Sequence, residues 1–304
     1  MAEGDSPTIA RLRVRIAIRE AREAAGLTQA QVAEAMEWSN SKIIRIENGE
    51  NTISINDLRS LLSLLHVNDK ALVGSLLADA RTARLRVRAK RVWWGQPRFR
   101  EHLSEPLRRF IEYEAEASEI RLFTVLYVPG LLQTPEYGRA LTGMWSDEMS
   151  GPKIDALVDA RRHRHELLLD RLGTVKIMVV ADESIFRRVV GGSEIFVEQL
   201  RHLVNLSERG LTKIRMLPLN DLPVAIANNG SFDLMTVGAD RAEREIMYRE
   251  NGILDEVVEN RADNARHRKR FEQLWQAADD EDDTIDFIKG RIAALEANLP
   301  ARHE

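Results

Sequence analysis

Residues 27–49 read LTQAQVAEAMEWSNSKIIRIENG, and their pattern is that of two short helices joined by a tight turn. Thr28 is placed to cap the first helix, and Gln31 three residues later completes a T-x-x-Q capping box that satisfies two otherwise unpaired amides. Ala30, Val32, Ala33 and Met36 are small or apolar enough for close packing. After a bend at Glu37 and Trp38, Ser39 can cap a second helix in which Ile43 and Ile46, three apart, face inward. Asn40, Ser41, Lys42 and Arg45 are then left on the open side, and these are side-chain types that read base edges and phosphates in the DNA major groove. An ordinary amphipathic hairpin would account for the apolar spacing, but not for the agreement of caps, turn length and outward chemistry.

The flanking sequence completes a five-helix pattern. Residues 9–25 alternate Arg with aliphatics in a way that mimics a strand. Val14, Ile18, Ala21 and Ala25 nevertheless recur at helical spacing, and Gly26 stands where a C-cap would end a helix. Residues 54–65 place Ile55, Leu58, Leu61, Leu62 and Leu65 on one stripe, and residues 68–80 repeat the pattern.

Residues 8–80 thus resemble an Xre-type helix-turn-helix domain, the five-helix fold of the phage lambda repressor and its bacterial relatives. The family's L-T-Q-x-x-[VL]-A start stands here as Leu27–Ala33, and its I-x-x-[IL]-E-x-G end as Ile43–Gly49. Relatives usually carry Gly in the bend where this chain has Glu37, so the backbone must turn there without the residue best suited to positive φ. The resemblance further implies a partly buried ion pair between Arg22, late in helix one, and Glu47, ending the recognition helix. Gln29, opening helix two, is expected to hold a phosphate through its amide and the helix N-terminus.

The chain has 304 residues and a formal charge of −4. That length exceeds one such domain and leaves room for a large second region. Residues 1–91 hold 15 Lys plus Arg against 11 Asp plus Glu, a net of +4, which leaves −8 for residues 92–304. The cationic part is the one with the motif, as phosphate neutralisation requires. With no cysteine, disulfides, thiol nucleophiles and Cys-based zinc fingers are excluded. No apolar run approaches the roughly 20 residues needed to cross a bilayer, and the first residues lack a secretory signal's apolar core, so a cytoplasmic protein without membrane contact is expected.

Residues 81–91, RTARLRVRAKR, carry six cations and no acid. They read first as a basic linker, 81–98, continuing the fifth helix. The second reading is an auxiliary arm whose Arg81, Arg84 and Arg88 touch phosphates beside the main site. Trp93-Trp94-Gly95 marks a change of domain.

Residues 99–304 open with a second recognisable block, Phe110–Ala117 followed by Val128-Pro-Gly-Leu-Leu-Gln-Thr-Pro-Glu-Tyr-Gly-Arg-Ala-Leu141. Thr134 and Pro135 read as an N-cap followed by Pro at the first helical position. This P-G-L-L-Q-T-x-x-Y signature, together with Asp159–Arg164, Asp182–Arg188 and Gly191-Gly192, resembles the long C-terminal domain of WhiJ-like bacterial regulators. Residues 175–181, 213–217, 231–237 and 246–248 have the look of short strands, and 152–171, 193–209 and 253–278 that of helices. An α+β domain with a small, mostly antiparallel sheet and C-terminal helices follows. The acidic run Asp279–Asp283 is expected to favour the N-terminus of a last helix from about Thr284 to Leu295.

No catalytic constellation is legible: there is no G-x-S-x-G, H-E-x-x-H, P-loop or dinucleotide glycine pattern. His163 and His165, two apart on a helix, diverge too far to share a metal ion, so neither an enzyme nor a cofactor is expected. The sequence therefore predicts a dimeric, sequence-specific transcriptional regulator of double-stranded DNA. Its residues 99–304 would dimerise and receive a signal, either the small acidic protein that WhiJ-like regulators tend to have encoded nearby or a small-molecule effector. The alternative is an antitoxin-like module that mainly binds a small partner protein and only autoregulates its own operon.

Overall fold

A computed structural model describes residues 7–84, 93–171, 173–220, 230–238, 243–250 and 255–298. These divide into two compact units, the first containing five helices and the second all the remaining elements.

In the first unit, α1 (Pro7–Ala24), α2 (Gln29–Ala35), α3 (Asn40–Glu47), α4 (Ile55–Leu64) and α5 (Lys70–Arg84) enclose one apolar core. Val14 and Ile18 of α1 meet Val32 and Ala33 of α2, Ile43 and Ile46 of α3, Leu58, Leu61 and Leu62 of α4, and Leu76, Leu77 and Ala80 of α5. Each such aliphatic side chain withdrawn from water contributes roughly 1.5–3 kcal/mol. The helix ends are set by local chemistry. Thr28, Ser39 and Ser54 accept the amides of Gln31, Lys42 and Asp57, and Asp69 accepts those of Ala71 and Leu72. Arg13 forks onto Asp79 at 3.0 and 2.6 Å, joining α1 to α5. Because α5 runs to Arg84, the first four residues of the expected linker are its last turn. The far end of that stretch is also structured, with a 3₁₀ turn at Trp93–Gly95 followed by α6 (Pro97–His102). The rest of the basic run, 85–92, lies outside the described residues.

The second unit is built on a six-stranded sheet of order β3-β2-β1-β4-β5-β6. Its strands are β1 (Ala117–Thr124), β2 (Lys176–Asp182), β3 (Lys213–Leu217), β4 (Phe232–Val237), β5 (Arg244–Glu250) and β6 (Asp255–Val258). The sheet is mixed, which corrects the expectation of a mostly antiparallel one: β1, β2 and β3 run parallel, and β4, β5 and β6 antiparallel. The cause lies in the connections. α8 (Pro135–Gly143) and α9 (Gly151–Leu169) separate β1 from β2, and α10 (Ser184–Arg187) and α11 (Ser193–Glu208) separate β2 from β3, crossovers long enough to return the chain in the same direction. β1, absent from the expected strands, lies at the centre of the sheet. β6 occupies the front of an expected helix at 253–278, and α12 (Arg261–Ala277) starts only where Asn260 accepts the amides of Ala262 and Asp263.

Helices cover both faces. Phe271 and Leu274 of α12 pack on Phe123, Val180, Leu217, Phe232, Leu234 and Met247. On the other face α7 (Glu105–Glu114) lies against β1, β4 and β6, with Phe110 stacked on Tyr248 at 4.1 Å. The last helix, α13 (Glu281–Glu296), starts slightly earlier than expected, capped by Asp280 within the acidic run. The turn before it shields the edge strand β3: the amide of Asp279 donates to the Met216 carbonyl, and the Met216 amide donates to Thr284 Oγ1.

Candidate nucleic-acid interface

The helix pair α2–α3 is held by its caps and by the turn between them. Thr28 and Gln31 form the full capping box. At the other end of α2 the Glu37 amide donates to the Glu34 carbonyl and the Trp38 amide to that of Ala33, the paired bonds of a Schellman turn. Glu37 takes the left-handed position with φ +54°, so the residue where relatives carry Gly does adopt the backbone that favours Gly. Trp38 then packs on the core, and Ser39 starts α3.

Along α3, Ile43 and Ile46 are buried, while Asn40, Ser41 and Arg45 are exposed. Lys42 is half-buried, its ammonium 3.0 Å from Asp57 Oδ2 and 3.9 Å from the centre of the Trp38 ring. It is therefore held against the domain, whereas Arg45 is restrained only by a loose 3.8 Å approach to the exposed Glu50. Ile44, which the sequence pattern does not single out, is 39% exposed on this helix. Its place beside the buried Ile43 gives it the look of core. An outward aliphatic on such a helix is suited to a thymine methyl group.

Behind α3, Glu47 is 1% exposed and fully engaged. Arg22 Nε and Nη2 donate to its two carboxylate oxygens at 2.6 and 2.9 Å, and Arg22 Nη1 reaches the Leu27 carbonyl at 3.0 Å. The bond to Glu47 raises the Arg22 pKa above its ordinary value despite opposing desolvation. Arg15 and Arg19 donate to the Glu47 backbone carbonyl at 3.3 and 2.7 Å, where the C-terminal end of α3 favours cations. Gln29 departs from expectation, because its side-chain amide donates to Glu47 Oε2 at 2.8 Å. A buried carboxylate needs its lone pairs satisfied, and Gln29 supplies one of the donors instead of facing outward. Among the remaining cations, Arg81 and Arg84 lie exposed in the last turn of α5, and Arg88 falls outside the described residues.

In the second unit the signature residues make structural bonds. Gln133 Nε2 donates to the Val128 carbonyl at 2.7 Å, and Thr134 caps α8 by accepting the Tyr137 amide. Gln199 of α11 bridges the Thr134 amide and the Leu132 carbonyl at 2.7 and 2.9 Å. His163 stacks on Trp93, while His165 faces His202, so the two histidines do turn apart. Among the described residues, no group of three His, Asp or Glu side chains could hold a metal ion, and no helix is long and apolar enough to cross a membrane.

Comparison with known families agrees with this division. Residues 14–76 match the helix-turn-helix domain, which supports DNA binding by the first unit, and residues 107–290 match the domain of unknown function DUF5753. Neither the curated proteins nor the solved structures gave a match. Because the second match spans more than half of the 304 residues, the chain belongs to the DUF5753 family, with a helix-turn-helix domain on its N-terminal side.

Proposed function

We propose that this chain is a sequence-specific transcriptional regulator of the Xre-type, WhiJ-like kind, binding operator DNA as a dimer and taking its signal through the second unit. The observation that carries the reading is α3 itself. It is short, capped and anchored from behind by the Arg22–Glu47–Gln29 network, and it presents Asn40, Ser41, Ile44 and Arg45 outward. Arg45 suits bidentate pairing with guanine, Asn40 suits adenine or a phosphate, and Ile44 suits a thymine methyl. Lys42, tied to Asp57, acts mainly by its charge toward the phosphate backbone.

A helix of eight residues reads only a few base pairs. Pairing two half-sites about 10 bp apart, or a multiple of that, supplies the missing affinity. The second unit, well over half of the chain, carries no recognised catalytic pattern and the opposite net charge, which suits a dimerising and signal-receiving role in the cytoplasm. A signal couples to DNA affinity only if it binds one arrangement of the protein better than another, and typical coupling of roughly 1–3 kcal/mol would change operator affinity about 5- to 150-fold. Genome-wide mapping of bound sites tests the regulator reading: several sites sharing a two-fold motif support it, and binding confined to the chain's own promoter would favour a module that autoregulates only itself.

A further inference from the structure

The signature of the second unit does more than join α8 to the sheet. A Cβ at Gly130 would stand 3.3 Å from Arg164 Nη1, and one at Gly138 would stand 3.5 Å from Arg161 Cδ. The P-G-L-L-Q-T-P-E-Y-G stretch thus admits two arginines of the D-A-R-R-H-R stretch on α9 where larger residues would collide with them. The two have different fates. Arg164 is satisfied: its Nε and Nη2 donate to both oxygens of Glu114 at 2.7 Å each, and its guanidinium lies over Phe110 at 4.9 Å. Arg161 is not, because its hydrogen-bond partner among the described residues is the Thr142 hydroxyl, and no described acid lies within ion-pair distance of it. It also stands beside the like charge of Arg164.

Three further polar groups face the same region without partners among the described residues. Tyr248 is 6% exposed, stacked on Phe110, and its hydroxyl is buried with no hydrogen bond. Asp233 lies directly across the β4–β5 ladder from Tyr248, and Glu250 ends β5. Their charges act on one another and on Arg161 and Arg164. Burial pushes the Asp233 carboxyl up to about 7, and raises that of Glu250. A guanidinium, two carboxyls and a phenol converging from α9, β4 and β5 without partners are costly unless something binds them.

We propose that Arg161, Asp233, Tyr248 and Glu250 form the receiving site for a small zwitterion of the free amino-acid type, its carboxylate on Arg161 and its ammonium group between Asp233 and Glu250. The charge pattern selects this class. With Arg164 neutralised by Glu114, one cation and two acids remain, which a purely anionic ligand would meet with repulsion and a purely cationic one would leave Arg161 unpaired. The inference rests on reading the second unit as a receiver. The two can fail separately: a ligand that binds here without changing operator affinity ends the receiver reading and keeps the site, while absent binding ends the site and leaves DNA recognition standing.

The test is calorimetric titration of the full chain with the common L-amino acids, with inorganic phosphate as a comparison. At least one amino acid is expected to bind saturably and to raise the unfolding temperature. Its N-acetyl derivative should bind about tenfold or more weakly, as removal of one charge-assisted hydrogen bond requires. Arg161→Gln and Asp233→Asn should each weaken binding by a similar factor while retaining native far-ultraviolet dichroism, and Arg162→Lys, an exposed neighbour, should bind as the unaltered chain does. Saturable binding by none of the amino acids, binding of phosphate alone, or affinity indifferent to both N-acetylation and Asp233→Asn would overturn the proposal.

Discussion

At the residue scale, the first unit separates side chains that hold the fold from those free to meet DNA. Glu47 belongs to the first kind. Glu47→Ala strands Arg22 and Gln29 and should lower the stability of the helix-turn-helix unit by roughly 3–5 kcal/mol, the range for breaking a buried pair. Chemical denaturation checks this, and a loss below about 1 kcal/mol, as for a surface pair, would contradict the buried network. Asp233 makes a different prediction. Its carboxyl, faced by Arg164, Glu114, Glu250 and Tyr248, is raised from 3.8 to about 7 by burial above all. The folded chain therefore holds this proton where the unfolded chain has released it, so stability falls as pH rises across that window, and the cost is complete above about pH 7. Asp233→Asn should consequently stabilise the chain above neutrality by on the order of 2 kcal/mol, about half of the full conversion at 1.36 kcal/mol per unit, with the gain fading toward pH 4. Melting curves across that range decide it, and a gain that grows on acidification would mean that the carboxyl is held ionised. That the chain carries such a cost is expected of a group kept for binding.

At the scale of elements, legibility depends on whether the determining signal is local. The helices of the first unit follow from caps and spacing within a few residues, as Thr28 with Gln31 and Ser39 with Lys42 show. The turn between α2 and α3 is legible even in its irregularity, because Glu37 does take positive φ. Glu37→Gly relieves a left-handed cost of about 1–2 kcal/mol and adds about 0.5–1 kcal/mol of unfolded-state entropy, so a net gain near 0.5 kcal/mol is expected. A clear loss of stability by thermal melting would show that the Glu37 side chain contributes more than the strain costs. In the second unit β1 is hidden in the sequence because Glu119 and Arg121 look like surface residues, whereas in the sheet Arg121 pairs with Glu119 at 2.6 Å and approaches Glu245 of β5 at 3.6 Å. Strand direction is not legible either, since it is set by crossovers such as α8–α9 and not by any strand's own residues. The same distinction divides the interface. The outward place of Asn40, Ser41 and Arg45 follows from helix periodicity, but the engagement of Gln29 depends on where α3 brings Glu47, and Ile44 is told from Ile43 only by the angle at which α3 docks.

At the scale of the whole molecule, the charge split of +4 and −8 assigns phosphate binding to the first unit. The exposed Arg81 and Arg84 at the end of α5 extend that surface, and changing either to Ala should flatten the dependence of log affinity on log salt by roughly 0.9 for each phosphate it neutralises. An unchanged slope would remove α5 from the interface. The most direct test of the central claim, that α3 reads DNA sequence, is selection of bound sites from a random duplex pool by the full chain and by Arg45→Ala. The full chain should enrich a two-fold motif with half-sites about 10 bp apart. The variant should lose preference at one guanine position in each half-site, a discrimination of roughly 1–3 kcal/mol, while keeping the rest of the motif. No enriched motif from the full chain, or the same motif from both proteins, would contradict the account.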